Sequence, residues 1–113
     1  MNIDQKHLRS LENILEQEIA QYKSYLELLG REYKAVTALQ SDDVTLLSER
    51  RSAVMDRLSR LKDDRLDVLS KCTGGEQIRL SEFVERIPTA SDKKRFSALV
   101  KKLKDAITLV DSK

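Results

Sequence analysis

Residues 35–47, AVTALQSDDVTLL, join two long segments in which apolar residues recur every three or four positions. Ser41, Asp42 and Asp43 can each cap a following helix, because their side-chain oxygens accept hydrogen bonds from the free N–H groups of its first turn. Two acids in that turn also suit the positive end of the helix dipole. The stretch therefore predicts a tight joint between two helices.

The segment before the joint predicts a first helix over residues 4–40, with Asp4 as its N-cap. Gly30 lies inside this helix, where glycine costs about 1 kcal/mol relative to alanine. It is either a tolerated flaw or the site of a close helix contact. The apolar positions form one helical stripe: Leu8, Leu11, Leu15, Ile19, Tyr22, Leu26, Leu29, Tyr33 and Val36.

The segment after the joint predicts a second helix over residues 43–72. Gly74 and Gly75 follow it and end it, because glycine adopts the left-handed backbone angles of a helix C-terminus. Arg51 and Arg65 lie within its stripe. The other stripe positions are apolar: Val44, Leu47, Val54, Leu58, Leu61, Val68 and Cys72.

Two helices of similar length with a tight joint predict an antiparallel hairpin. With the joint near residues 40–43, the numbers of two facing residues add up to about 83. This rule places Glu18 opposite Arg65 and Glu32 opposite Arg51. We predict that these ion pairs set the register, because a slipped hairpin would separate them.

Residues 76–87 predict a short helix, and residues 92–110 predict a third long helix that begins at a Ser91 or Asp92 cap. The third helix should fold back along the hairpin. The predicted fold class is therefore all-α: an antiparallel long-helix hairpin, a short helix and a returning helix in a coiled-coil-like three-helix bundle. A length of 113 residues predicts a single helical domain over residues 1–113.

The composition, 40% hydrophobic, 35% charged and 4% aromatic, is typical of long amphipathic helices. The net charge of +2 gives no reason to expect a nucleic-acid or membrane-surface protein. The longest run without a charged residue, 35–41, is too short for membrane insertion. The N-terminus lacks the pattern of a signal peptide. Cys72 is the single cysteine, which favours a reducing compartment and predicts a cytoplasmic protein.

No motif of an enzyme is present: the sequence has no Gly-rich dinucleotide loop, no Walker loop and no nucleophile elbow. His7 and Cys72 cannot form a zinc site by themselves. The sequence therefore predicts no catalytic residue, no cofactor, no metal site and no enzymatic activity.

The third predicted helix carries a basic cluster, residues 93–104, with a charge of +6 and no acid. Three interpretations are open: a solvated face beside the first helix, a guide for an acidic protein partner, or a nucleic-acid contact. The nucleic-acid contact is disfavoured, because no aromatic residues interleave with the lysines. The apolar face of this helix is wide, which fits either a core or an open edge that binds a partner's amphipathic helix. The candidate partner-binding residues are Phe96, Leu99, Val100, Leu103, Ile107 and Val110.

The chain resembles FlgN-type flagellar export chaperones over nearly its whole length. Residues 35–47 look like the family's "A-L, loop, D, L-xx-L" joint, and residues 58–69, LSRLKDDRLDVL, look like its "L-xx-L-xxx-R-xx-L-L" run. The opening pattern Leu11-xx-Ile14-Leu15-xx-Glu18 is similar to that of the family's first helix.

The resemblance implies a cytoplasmic, non-enzymatic chaperone that binds hook-associated proteins of the hook–filament junction before type III export. Such chaperones keep the helical termini of their clients from aggregating and deliver them to the export apparatus. The family binds clients mainly through its C-terminal part, here residues 96–110, and usually continues past the third helix. Whether this sequence lacks a C-terminal client-binding tail is left open. The alternative is a structural coiled-coil homodimer or adaptor without a chaperone role; the chaperone could also be a homodimer.

Overall fold

The structure, a computed structural model, describes residues 3–112. All regular elements in this range are α-helices, which confirms the all-α fold class. The molecule is elongated, with principal extents of 56 × 21 × 19 Å. The helices are α1 (Gln5–Thr37), α2 (Ser41–Thr73), α3 (Leu80–Glu85) and α4 (Ala90–Asp111). The two long helices α1 and α2 pack against each other as an antiparallel hairpin, α4 packs along α1, and α3 packs against α4.

The joint of the hairpin, residues 38–40, lies earlier in the chain than the sequence predicts. Helix α1 begins after Asp4, whose carboxylate accepts a hydrogen bond from the Lys6 N–H at 2.8 Å, but it ends at Thr37 instead of residue 40. Leu39 adopts a left-handed φ of 58° and turns the chain. Helix α2 then begins at Ser41, with Gln40 in the N-cap position and no side-chain cap hydrogen bond, so the predicted capping role of Ser41, Asp42 or Asp43 is wrong. Asp42 and Asp43 lie in its first turn. Both acids therefore face the positive end of the helix dipole, as expected.

The third helix begins earlier than predicted, and the predicted capping role of Ser91 or Asp92 is wrong. Helix α4 starts at Ala90, and Thr89 occupies the N-cap position without a side-chain hydrogen bond. The Asp92 carboxylate instead accepts a hydrogen bond from Arg95 at 2.9 Å. Asp92 thus lies within the first turn, where its charge suits the helix dipole.

The short helix covers fewer residues than the predicted range 76–87. The Thr73 hydroxyl donates to the Glu76 carbonyl at 2.7 Å, and Arg86 donates to the Glu76 carboxylate at 2.8 Å. These bonds give the polar groups of Glu76 partners outside a helix, and the helical residues are Leu80–Glu85.

The hairpin has two parts with different surroundings. In the base, residues 5–23 and 58–112, all four helices contribute to one core. In the arm, residues 24–57, α1 and α2 pack only on each other, and the buried side chains are Ala35, Leu47 and Val54. The core of the base consists of Leu8, Leu11, Leu15, Ile19, Leu69, Cys72, Phe83, Val84, Ile87, Phe96, Val100 and Leu103.

Leu69 is a core residue that the predicted stripe of α2 omits. The stripe predicts Val68, which is only half-buried, whereas Leu69 is buried. A strict alternation of three and four residues drifts around a straight helix, because the helix has 3.6 residues per turn. Near its end, α2 therefore turns Leu69 towards the core that α3 and α4 complete.

Candidate partner-binding surfaces

The structure brings both predicted ion pairs into contact across α1 and α2. Arg65 Nη1 lies 3.0 Å from Glu18 Oε2, and Arg51 Nε lies 2.9 Å from Glu32 Oε2. The two pairs differ in burial: Glu18 is 2% exposed, whereas the Arg51 side chain keeps 32% of its surface accessible. That these pairs select the register of the hairpin stays a prediction.

Glu18 lies in the interior of the bundle with an incompletely satisfied carboxylate. Its Oε1 atom has no hydrogen-bond partner among residues 3–112. Burial raises the pKa of Glu18 above its ordinary value of 4.5, and the positive charges of Arg65 and Lys62 oppose this rise. The folded protein therefore binds a proton at Glu18 more readily than the unfolded chain does.

We expect this carboxyl group to make folding stability depend on pH. Because the pKa of Glu18 is raised in the folded state, its carboxyl group stabilises the fold most at pH values below 4.5. This stabilisation is lost as the pH rises through the pKa of the folded state. The free energy of unfolding of the wild type, relative to Glu18→Gln, should therefore increase as the pH falls from neutrality towards 4.5. Urea denaturation of both proteins across this range measures the difference, and a decrease would contradict the burial argument.

The structure divides the six predicted partner-binding residues of α4 between the core and its edge. Phe96 is 0% exposed, and Val100 and Leu103 are also buried in the core of the base. The reason is that α4 packs on the N-terminal half of α1, where Phe96, Val100 and Leu103 share one core with Leu8, Leu11, Leu15 and Ile19. Of these six residues, only Leu99, Ile107 and Val110, which are half-buried, are accessible to a partner. Partner binding by this stripe stays a prediction.

In the basic cluster on α4, two residues form ion pairs with other helices, and the other four form none within residues 3–112. Arg95 Nε lies 3.0 Å from Glu12 Oε2 on α1, and Lys93 Nζ lies 3.1 Å from Glu85 Oε2 at the end of α3. The remaining lysines are exposed and form no ion pair within the described part of the chain; they are Lys94, Lys101, Lys102 and Lys104. The exposed lysines give α4 a positive outer face.

A groove on the arm is the feature that the sequence analysis did not identify. It has a volume of about 580 Å³ and lies along α1, where Tyr33 is 75% exposed and Val36 is 54% exposed. The sequence analysis assigned both residues to the hairpin contact. The predicted helix lengths indicate such a groove, because the third helix is shorter than the first and must leave part of the first helix uncovered. The groove is lined by Leu26, Leu29, Gly30, Glu32, Tyr33, Val36 and Arg51.

Other kinds of site find little support in the described residues. Between residues 3 and 112, no three or more His, Cys, Asp and Glu side chains are grouped so that they could hold a metal ion. No helix in the same range is long and apolar enough to cross a membrane. Cys72 is buried, and burial raises the pKa of its thiol, which disfavours the reactive thiolate.

Comparison with known families assigns the chain. The family model described as FlgN protein matches residues 1–112. No curated protein and no solved structure gives a match. The family match spans both helices of the hairpin, the short helix and α4, and it confirms the resemblance first noted at the joint. The FlgN family is a family of chaperones that act in flagellar assembly, not a family of enzymes, and the chain belongs to the FlgN family.

Proposed function

We propose that this protein is a cytoplasmic chaperone that binds hook-associated proteins before their export through the flagellar type III apparatus. The observation that carries the proposal is the family match over residues 1–112. It favours a chaperone over a structural coiled-coil homodimer or adaptor. The clients would be the helical terminal segments of hook-associated proteins, which expose apolar stripes until they assemble.

The proposed mechanism is capture of an amphipathic client helix on an apolar surface. The base supplies a rigid support, because its core fixes α4 against α1. Leu99, Ile107 and Val110 offer an accessible apolar edge on α4. The exposed lysines of α4 lie next to this edge and would steer an acidic client surface towards it.

Gene deletion tests the proposed function in the flagellated bacterium that carries the protein. Without the chaperone, we expect secreted hook-associated proteins to fall sharply while secretion of the hook protein continues. Immunoblots of culture supernatants measure both. The wild-type gene should restore secretion, and Thr108→Asp, a change at an exposed position of α4, should restore it equally.

The double variant Ile107→Asp/Val110→Asp tests whether the α4 edge takes part. It should restore secretion poorly, because two charges on an apolar contact surface must be desolvated when the client binds. Unchanged secretion of every hook-associated protein after gene deletion would contradict the proposed function. Full rescue by the double variant would show that the α4 edge takes no part in client binding, and it would leave the proposed chaperone function intact.

A further inference from the structure

The end of α4 leaves a vacant position on α1. Arg95, near the start of α4, pairs with Glu12. Near the end of α4, Ile107 lines a cleft together with Arg65, the partner of Glu18, and packs against the same core as Tyr22. Helix α4 therefore runs in the same direction as α1 and ends near the level of Tyr22. Helix α1 continues to Thr37, about four turns farther.

The face of α1 that α4 covers continues into the arm. Leu8, Leu15 and Ile19 lie on this face and are buried in the base. The same face is continued, at steps of three and four residues, by Tyr22, Leu26, Gly30 and Tyr33. Beyond Tyr22 the face opens into the groove of the arm. One stripe on α1 is thus covered by a helix over its first half and uncovered over its second half.

In the base, the face of α1 that continues into the groove is occupied by a single helix. This helix is α4, and the groove lies in line with it. A carbon atom placed as Cβ on Gly30 would meet no atom within 4 Å, so the backbone of an incoming helix can approach α1 closely at this point. A second copy of the chain would instead have to present helices that already pack on each other.

The charge of the groove defines the chemistry of its occupant. Its only acid and base among the lining residues are Glu32 and Arg51, which neutralise each other at a distance of 2.9 Å. The remaining lining residues are Gly30, the phenol of Tyr33 and aliphatic side chains. The groove therefore matches an uncharged apolar stripe, and its binding should depend little on salt.

We propose that the groove of the arm binds one amphipathic helix of an exported client, lying along α1 and end to end with α4. The stripe of that helix carries large apolar side chains at the spacing that α4 uses for Phe96, Val100 and Leu103, namely i, i+4 and i+7. The inference rests on the proposed chaperone function and assigns a contact surface on the arm, separate from the apolar edge of α4.

Affinity measurements with the full-length chain and a purified hook-associated protein of the same organism test the proposal. The variant Tyr33→Asp/Val36→Asp should bind the client at least about tenfold more weakly than the wild type does, because it places charges at the centre of the contact. Gly30→Trp should have a similar effect by filling the groove. Leu46→Asp is the matched control: Leu46 is 47% exposed but lines a different groove, and this variant should bind like the wild type.

Two further measurements make the result specific to the groove. A photo-crosslinking amino acid at position 33 should link to the client, and the same group at position 46 should not. The ratio of the wild-type affinity to the Gly30→Trp affinity should change less than about threefold between low and moderate salt, because the groove carries no net charge whereas the lysines of α4 are the same in both proteins. Circular dichroism melts should show that all variants fold, since the altered positions 30, 33, 36 and 46 are exposed.

Each contrary result has a separate meaning. Wild-type affinity in both groove variants would overturn the proposal while leaving the chaperone role intact. If sedimentation shows that the groove variants convert a dimer into a monomer at unchanged client affinity, a second copy occupies the groove and the proposal is wrong. If the wild type binds no hook-associated protein, the proposed function fails first and the inference fails with it.

Discussion

Replacing Arg65 by methionine is expected to lower the free energy of unfolding by about 3–5 kcal/mol, the usual cost of removing one partner from a buried ion pair. Arg65 Nη1 is 3.0 Å from the carboxylate of Glu18, which is 2% exposed. The other oxygen of this carboxylate already has no hydrogen-bond partner among the described residues. Without the arginine, the carboxylate would remain in the core without its ion-pair partner, and only the weaker effect of the Lys62 charge would compensate it. Urea denaturation at neutral pH measures the loss.

The matched controls for this prediction are a double variant and the second ion pair. Glu18→Leu/Arg65→Met should regain most of the lost stability, because it leaves no unpaired charge in the core. Arg51→Met should cost less than about 1 kcal/mol, since that pair is partly exposed to water. An equal loss for Arg51→Met and Arg65→Met would show that burial does not determine the contribution of these pairs.

Phe96→Ala should lower the free energy of unfolding by about 3–5 kcal/mol, the range for a buried phenylalanine. Phe96 is fully buried in the core of the base, together with Leu11 and Leu15 of α1 and Phe83 of α3. Its removal leaves a cavity at the contact that fixes α4 on α1. Chemical denaturation followed by circular dichroism measures the change.

Leu109→Ala is the control on the same helix, because Leu109 is half exposed and should contribute less than about 0.5 kcal/mol. A contrary result would also be informative. If Phe96→Ala left stability unchanged but abolished client binding, the centre of the α4 stripe would contact the client and not the core.

The hairpin was predictable because its signals are local. The break near Ser41, the acids Asp42 and Asp43 and the three-four spacing of apolar residues depend on neighbours in sequence, and they located both long helices within a few residues. The contacts of Arg65 with Glu18 and of Arg51 with Glu32 followed from antiparallel geometry alone.

The ends of α3 and α4 were less predictable, because side chains that could cap or extend these helices form hydrogen bonds with other partners. Glu76 accepts hydrogen bonds from Thr73 and Arg86, and Asp92 accepts one from Arg95. Each of these side chains had a plausible helical role in the sequence. The choice between the two roles depends on which partner lies within reach in three dimensions.

The candidate site was only partly predictable from the sequence. An apolar stripe such as that of α4 has the same spacing whether it faces a core or a partner, and only the packing on α1 shows that Phe96, Val100 and Leu103 are core. The exposed Tyr33 and Val36 continue the stripe of α1 without interruption. Their exposure follows from the place where α4 ends, which the spacing of apolar residues in α1 does not specify.

Calorimetric titration of the purified chain with the hook-associated proteins of its own organism tests the central claim most directly. The chaperone account predicts saturable binding of at least one hook-associated protein at a defined ratio, reproduced by the isolated helical terminal segment of that protein. Flagellar filament protein, added under the same conditions, should bind much more weakly. Absence of binding to every hook-associated protein, with circular dichroism showing a folded helical chain, would contradict the account.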